Sequence, residues 1–386
     1  MMSRISARRP RLLVGTRKGA FFLDTKDDGH SWELTGPMYL GHIVYHIVSD
    51  PENPSVMVMA AKTGHLGPTI YRTENGGETW SEASKPPAFP KVESVDEKPR
   101  AVDTNFWISR GYAGEPAVWY AGTAPPGLFR SDDNGDTWEP ISGFNESESY
   151  AEWLAAGGAT PGGHLLHSIV VNPADANHMM VSISVGGTFE SRDKGGTWKP
   201  LNKGLDADFL PDPDAPFGQD PHCVVMHPAN PNRLYQQNHC GIYRMDRDGT
   251  AESDRWLRVG RNMPPEVGDI GFPFVVHPRE IQRGWVFPMD GTTVWPRTSP
   301  GGKPAVYATG DGGDSWQRLD AGMPTQHAYW TVKRQAMTAD CCDHIGLYIG
   351  TSSGEIWASI DEGASWKCVA RHLPEIYSVT TAENTK

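Results

Sequence analysis

Histidine is the residue type here with the most chemistry to offer. Fourteen occur in 386 residues, and about half fall at comparable places along the chain. When β-rich runs are aligned on the proline that follows them, Tyr45, His167, His222 and Phe272 occupy matching positions. His42 and His164 each lie three residues earlier, and His46 directly follows Tyr45. The runs that come next end near Arg17, Lys62, His239 and Asp290, while His65 and His327 sit in loops, with Phe106 and Tyr329 as further members. Two chemistries suit such a set. Neutral imidazoles from separate strands hold a borderline divalent ion such as zinc and leave a position open for water or substrate. The candidate ligands are His164, His167, His222 and His239. Alternatively, an imidazole titrating near neutrality moves a proton while cations bind an anionic group. In that scheme His167, His222, Tyr45 and Asp290 act on the substrate, and Arg17, Lys62, His42, His46, His65, His327 and Tyr329 bind it. Asp103, Asp220, Asp269 and Asp290 are carboxylates within reach of this set, and Arg297 and Arg334 are further cations that could approach it.

Something must bring these scattered positions to one place, and a repeat does so. Ser131, Asp133, Gly135 and Trp138 define the skeleton S-x-D-x-G-x-x-W. It recurs at Ser191–Trp198 and Ser359–Trp366, and with Thr for Ser at Thr25–Trp32 and Thr309–Trp316. Thr73–Trp80 carries Asn75 for the Asp, and Asp246, Asp248, Gly249 and Trp256 form a worn seventh copy. Each skeleton makes a hairpin turn: Gly supplies positive φ, the Asp side chain accepts backbone N–H groups, and Trp packs on a neighbouring sheet. Tryptophans at 32, 80, 138, 198, 256, 316 and 366 are spaced for one four-stranded sheet per repeat. The first repeat lacks its first strand, and Ile376–Thr380 at the other end of the chain can supply it. The fold expected is all-β, a seven-bladed propeller over residues 11–381, closed by a C-terminal strand joining the first blade. Residues 1–10 form an N-terminal extension and 382–386 a tail. The start of each blade's first strand and the end of its second meet at one mouth of the channel, which gathers the histidines there. Long connections at Pro86–Thr104, Asn145–Gly163 and Asn202–Gln219, and an insertion at Gly291–Lys303, are candidate walls.

Composition narrows the partners. A net charge of -12 argues against general nucleic-acid binding, which needs a basic stripe. No run is long and apolar enough for a membrane-spanning helix, and the N-terminus lacks the apolar core of a secretory signal. Five cysteines without a CxxC pair fit reduced thiols and a cytoplasmic location.

The repeated turn resembles the Asp box, or BNR repeat, of sialidases and of propellers such as the sortilin luminal domain and photosystem assembly factors. The resemblance covers nearly the whole chain. It implies the propeller fold and a structural role for the boxes on the rim opposite the mouth, so function is sought among the histidines. The sialidase arginine triad is not reproduced: the Arg-Ile-Pro opening is replaced by Gly15-Thr16-Arg17-Lys18-Gly19, and only Arg17 is well placed. By analogy alone, Tyr329 or Tyr377 would be the nucleophile. Two functional readings follow. One is a hydrolase or lyase acting on a polar, anionic, carbohydrate-like small molecule at the His-rich mouth, with a divalent metal in one version. The other is a non-catalytic propeller that binds a ligand or protein. Neither reading fixes an oligomeric state.

Overall fold

The computed structural model describes residues 5–6, 8–91, 99–156, 163–291 and 297–383. These form seven antiparallel four-stranded sheets, numbered here as blades 1 to 7, with strands A to D running outward from the central axis. The innermost strands are Ile376–Ala382 in blade 1, Ile43–Ser49, Thr104–Arg110, Leu166–Val171, Pro221–His227, Gly271–Val276 and Met337–Ala339. Blade 1 is shared by the two ends of the chain. Ile376–Ala382 pairs with Arg11–Thr16, from Leu13↔Thr380 to Thr16↔Ile376, which closes the ring as expected. No helix among the described residues is long and apolar enough to cross a membrane.

The core lies between adjacent blades. Trp119, Phe129, Ile70 and Trp138 pack blade 2 on blade 3, and Tyr235, Phe274 and Val286 pack blade 5 on blade 6. Near the axis the strands leave little room. A Cβ on Gly15 would lie 2.7 Å from the Val44 carbonyl oxygen and 2.5 Å from Ser378 Oγ.

The repeated turns are closed hydrogen-bond units. Ser131 Oγ donates to Asp133 Oδ1 at 2.8 Å and accepts from Gly135 N at 2.9 Å. Asp133 Oδ1 also accepts Thr137 N at 2.9 Å, and Trp138 Nε1 donates to the Gly135 carbonyl at 3.0 Å. Gly135 has φ +86, a conformation glycine adopts without strain. The units at Ser191, Thr309 and Ser359 repeat the hydroxyl and carboxylate bonds; the indole bond recurs at Trp198, whereas Trp316 Nε1 donates to the Val259 carbonyl. Among the seven repeat tryptophans, Trp138, Trp256 and Trp366 are buried and the other four are half-buried.

Six of the innermost strands, all but that of blade 7, carry a bulge near their start, which leaves one or two residues outside the ladder. Tyr377, Tyr45, Phe106 and His222 are each skipped between paired neighbours, as are Phe272 with Pro273 and, in blade 4, Ser168 with Ile169. A bulge re-aims side chains, and it places these rings around the axis. Tyr45 meets Phe106 at 6.0 Å and Tyr377 at 5.3 Å between ring centroids.

Candidate active site

The floor of the mouth is built from both sides of the ring. Gln335, just before the inner strand of blade 7, donates from Nε2 to the Phe106 carbonyl of blade 3 at 3.1 Å. Those blades face each other across the axis, so this bond spans the channel. Arg334 lies over Phe106 at 5.6 Å and over Phe272 at 5.5 Å. Burial draws its pKa down to about 10, against the pull of Asp220, and it stays a cation at neutral pH. Arg297 also lies over Phe272, at 5.5 Å. The mouth is therefore a shallow basin floored by aromatic rings and guanidinium groups.

On this floor three ligating side chains converge. Asp220 immediately precedes the inner strand of blade 5, His222 is its bulged residue, and His239 follows the second strand, Asn230–Asn238. Asp220 Oδ2 lies 3.4 Å from His222 Nε2 and 3.7 Å from His239 Nδ1. The ligand atoms of all three lie within 4.8 Å of one another. Each side chain is held from outside the group. His222 Nδ1 donates to the Gly271 carbonyl at 2.7 Å, which turns Nε2 toward Asp220. Asp220 Oδ1 accepts Val185 N at 3.1 Å, and the backbone N–H of His239 donates to the Asp220 carbonyl at 2.9 Å. Burial opposes the Asp220 charge, yet His222, His239 and Arg334 outweigh it and hold the carboxyl well below its usual range. His239 is lowered from 6.5, first by burial and then by His222, so it is neutral at pH 7. It is the open side of the group, 45% exposed, with the Phe209 ring edge-on at 5.8 Å. Phe209 comes from the Asn202–Gln219 connection, which is thus a wall of the basin, as its length suggested.

Several candidates lie elsewhere. His46 is a correction. Strand alternation turns it away from Tyr45 into the interface with blade 3. There it is buried, accepts Ile108 N at 3.1 Å, and is pushed down to about 3 by burial. His164 bonds to the Ser184 carbonyl at 3.0 Å and lies outside the three-residue group. His167 also lies outside it. It pairs in the ladder with Ser182, one position before the bulge of blade 4, so it is out of phase with Tyr45 and His222. It is buried, bonded to Ser168 Oγ at 2.8 Å, and pushed well below 6.5 by burial and then by Arg334, while its Nε2 has no hydrogen-bond partner. His42 stacks with Tyr39 at 5.6 Å and Tyr71 at 6.0 Å, away from the axis. His65, His327 and Tyr329 are exposed on loops. Asp290 is half-buried and accepts nothing from the three; its N–H donates to the Thr298 carbonyl at 2.7 Å. Asp269 is bound by Arg258 through two 2.9 Å bonds. Part of the Gly291–Lys303 insertion, residues 292–296, lies outside the described residues, as do 92–98 and 157–162 of the other long connections.

On the far side of the basin the charges pair among themselves. Lys62 Nζ binds Asp103 Oδ1 at 2.8 Å. Glu375, just before the closing strand, binds Lys333 at 2.7 Å and lies 3.7 Å from Arg17. Lys333 Nζ also sits 3.8 Å above the Tyr377 ring. Glu375, Lys333 and Gln335 are members of the mouth that the alignment on trailing prolines does not reveal. Treating the closing strand and the irregular start of blade 7 like the other inner strands brings them in.

Comparison with known proteins places the fold and leaves the chemistry open. No protein-family model matches the chain. An oligoxyloglucan-reducing end-specific xyloglucanase from Emericella nidulans is 23% identical over 224 residues, covering 54% of this chain and 24% of its own length. The GH74 xyloglucanase from Xanthomonas campestris superposes with a TM-score of 0.63 at 18% identity, over 95% of this chain and 53% of that one. A GH74 enzyme from Niastella koreensis gives 0.62 at 14%, over 95% and 55%. The chain is a seven-bladed propeller similar in fold to GH74 xyloglucanases. It spans about half the length of these solved structures and about a quarter of the curated relative.

Proposed function

We propose that this chain is a hydrolase of an anionic, carbohydrate-like small molecule, bound in the basin and acted on at Asp220, His222 and His239. The observation that carries this reading is the convergence of those three side chains beside two guanidinium groups. Arg334 and Arg297 supply positive charge in a partly desolvated setting, where an anionic group such as a sugar carboxylate is held more strongly than in water. The aromatic floor offers faces for the apolar side of a sugar ring. The three-residue centre activates the water that attacks the substrate. The xyloglucanase relatives support the carbohydrate class, and the cations support an anionic member of it. The Asp-box reading of the repeated turns, which gives them a structural role on the other rim, agrees with a site at this mouth. The five cysteines without a CxxC pair support a cytoplasmic setting.

The test is a screen of neutral and uronate-containing oligosaccharides, lactones and esters, followed by new reducing ends and by the ultraviolet absorbance of unsaturated products. Glycoside hydrolysis yields the first signal without the second, a lyase yields both, and hydrolysis of a lactone or ester is followed by the acid it releases. Turnover lost in Asp220→Asn and His222→Gln supports the reading, and turnover unchanged in both refutes it. The Gln335–Phe106 bond across the channel favours a second reading, a binding module whose ligand rests on the basin without reaction. That reading predicts a stoichiometric ligand or protein partner and a blank screen.

A further inference from the structure

We propose that Asp220, His222 and His239 form a binding site for one divalent transition-metal ion of the zinc type. The proposal rests on the reading of this mouth as the functional site and deepens it. A charge-assisted N–H···O⁻ bond measures about 2.7–2.9 Å. The Asp220 Oδ2 contacts to His222 Nε2 and His239 Nδ1, at 3.4 and 3.7 Å, are both longer. Ligand atoms about 2.0–2.1 Å from a tetrahedral ion lie roughly 3.3–3.4 Å apart. The two Asp220 spacings are nearer to those of ligands on one ion than to direct hydrogen bonds, and the third pair lies within 4.8 Å.

The surrounding bonds do what outer partners of a metal site do. The Gly271 carbonyl takes the Nδ1 proton of His222, so the Nε2 lone pair faces the group. Val185 N occupies Asp220 Oδ1 and leaves Oδ2 for the ion. His239 Nδ1 is buried and has no hydrogen-bond partner, although its ring is half-exposed. An imidazole nitrogen left bare beside a carboxylate and a second imidazole is costly unless something fills the gap. Two imidazoles and one carboxylate are a donor set for zinc or another first-row ion with a position left open. The open side is the exposed face of His239, beneath Phe209. One carboxylate leaves a divalent ion with a net positive site, and the repulsion from Arg297 and Arg334 is offset when an anionic group binds there. The substrate that fits is one placing an anionic oxygen on the ion and against the guanidinium groups. His164 and His167 are not members, because they lie outside the 4.8 Å group.

The experiment is calorimetric titration of Zn²⁺ into untagged, chelator-stripped full-length protein, with the visible spectrum of the Co²⁺-loaded form as a second readout. Neither needs a substrate. The expected result is one ion per chain and a Co²⁺ spectrum of low-coordinate type. Asp220→Asn and His239→Ala should each weaken uptake by about 100-fold, and His164→Ala should leave it unchanged. His239→Ala alters a half-exposed side chain, and an unchanged melting temperature of the ion-free variant shows that it folds. No stoichiometric uptake by the native protein overturns the proposal, as does full affinity in folded His239→Ala. Turnover that persists without any ion removes the metal and leaves the assignment of the mouth standing.

Discussion

The two sides of the basin use ionisable residues in opposite ways. On the side of blades 7 and 1 to 3, each of these cations meets a carboxylate: Lys62 meets Asp103, and Lys333 and Arg17 share Glu375. On the side of blades 5 and 6, capacity is left over. His239 Nδ1 has no hydrogen-bond partner, and one carboxylate, Asp220, stands among two imidazoles and two guanidinium groups. The first arrangement holds neighbouring blades together at a wet rim. The second sets two imidazoles and two guanidinium groups around a single carboxylate, an imbalance of charge that perturbs acidity as functional sites do. A propeller repeats its scaffold seven times, and function shows where the repetition stops being balanced.

This contrast can be broken by substitution. The largest effect is expected from Asp220→Asn and His222→Gln, which should lower kcat/KM by about 10²- to 10⁴-fold in a steady-state assay. Arg334→Met should raise KM by about 10- to 100-fold, the loss of a charged contact to an anionic substrate. Lys62→Met, on the balanced side, should change KM less than about 3-fold and stability by under about 1 kcal/mol in urea unfolding, because exposed ion pairs contribute little. If Lys62→Met were as damaging as Arg334→Met, the two sides would not differ as described.

Acidity sets His46 apart. His46 is buried and held at about 3. The folded state keeps it neutral where the unfolded chain binds a proton, so its contribution is complete above about pH 6.5 and is lost as the pH falls toward 3. The loss is on the order of 4 kcal/mol. His46→Asn, which can still accept the Ile108 N–H, should flatten that part of the stability–pH curve.

The scaffold was legible because the repeated turn carries its own mechanism in five residues. Ser131, Asp133, Gly135, Thr137 and Trp138 bond one another, so local sequence determines local structure. The site was legible in part. Tyr45 and His222 could be aligned, and Asp220 and His239 flanked the right strands. What linked them was not legible, because the partners come from other blades: His222 is oriented by Gly271, and Asp220 by Val185. Bulges also shift phase without marking the sequence, so His167 aligns with His222 on trailing prolines and yet stands one residue out of register. A one-residue shift turns a strand side chain to the other face, and His46 beside Tyr45 shows the same rule.

The central claim is that the reactive part of this molecule is the unbalanced side of the basin. It is tested most directly by kcat/KM on uronate-containing oligosaccharides, measured side by side for the native protein, His222→Gln and Lys62→Met. The account predicts turnover by the native protein, a fall of about 100-fold or more in His222→Gln, and near-native rates in Lys62→Met. Equal rates in all three would contradict it.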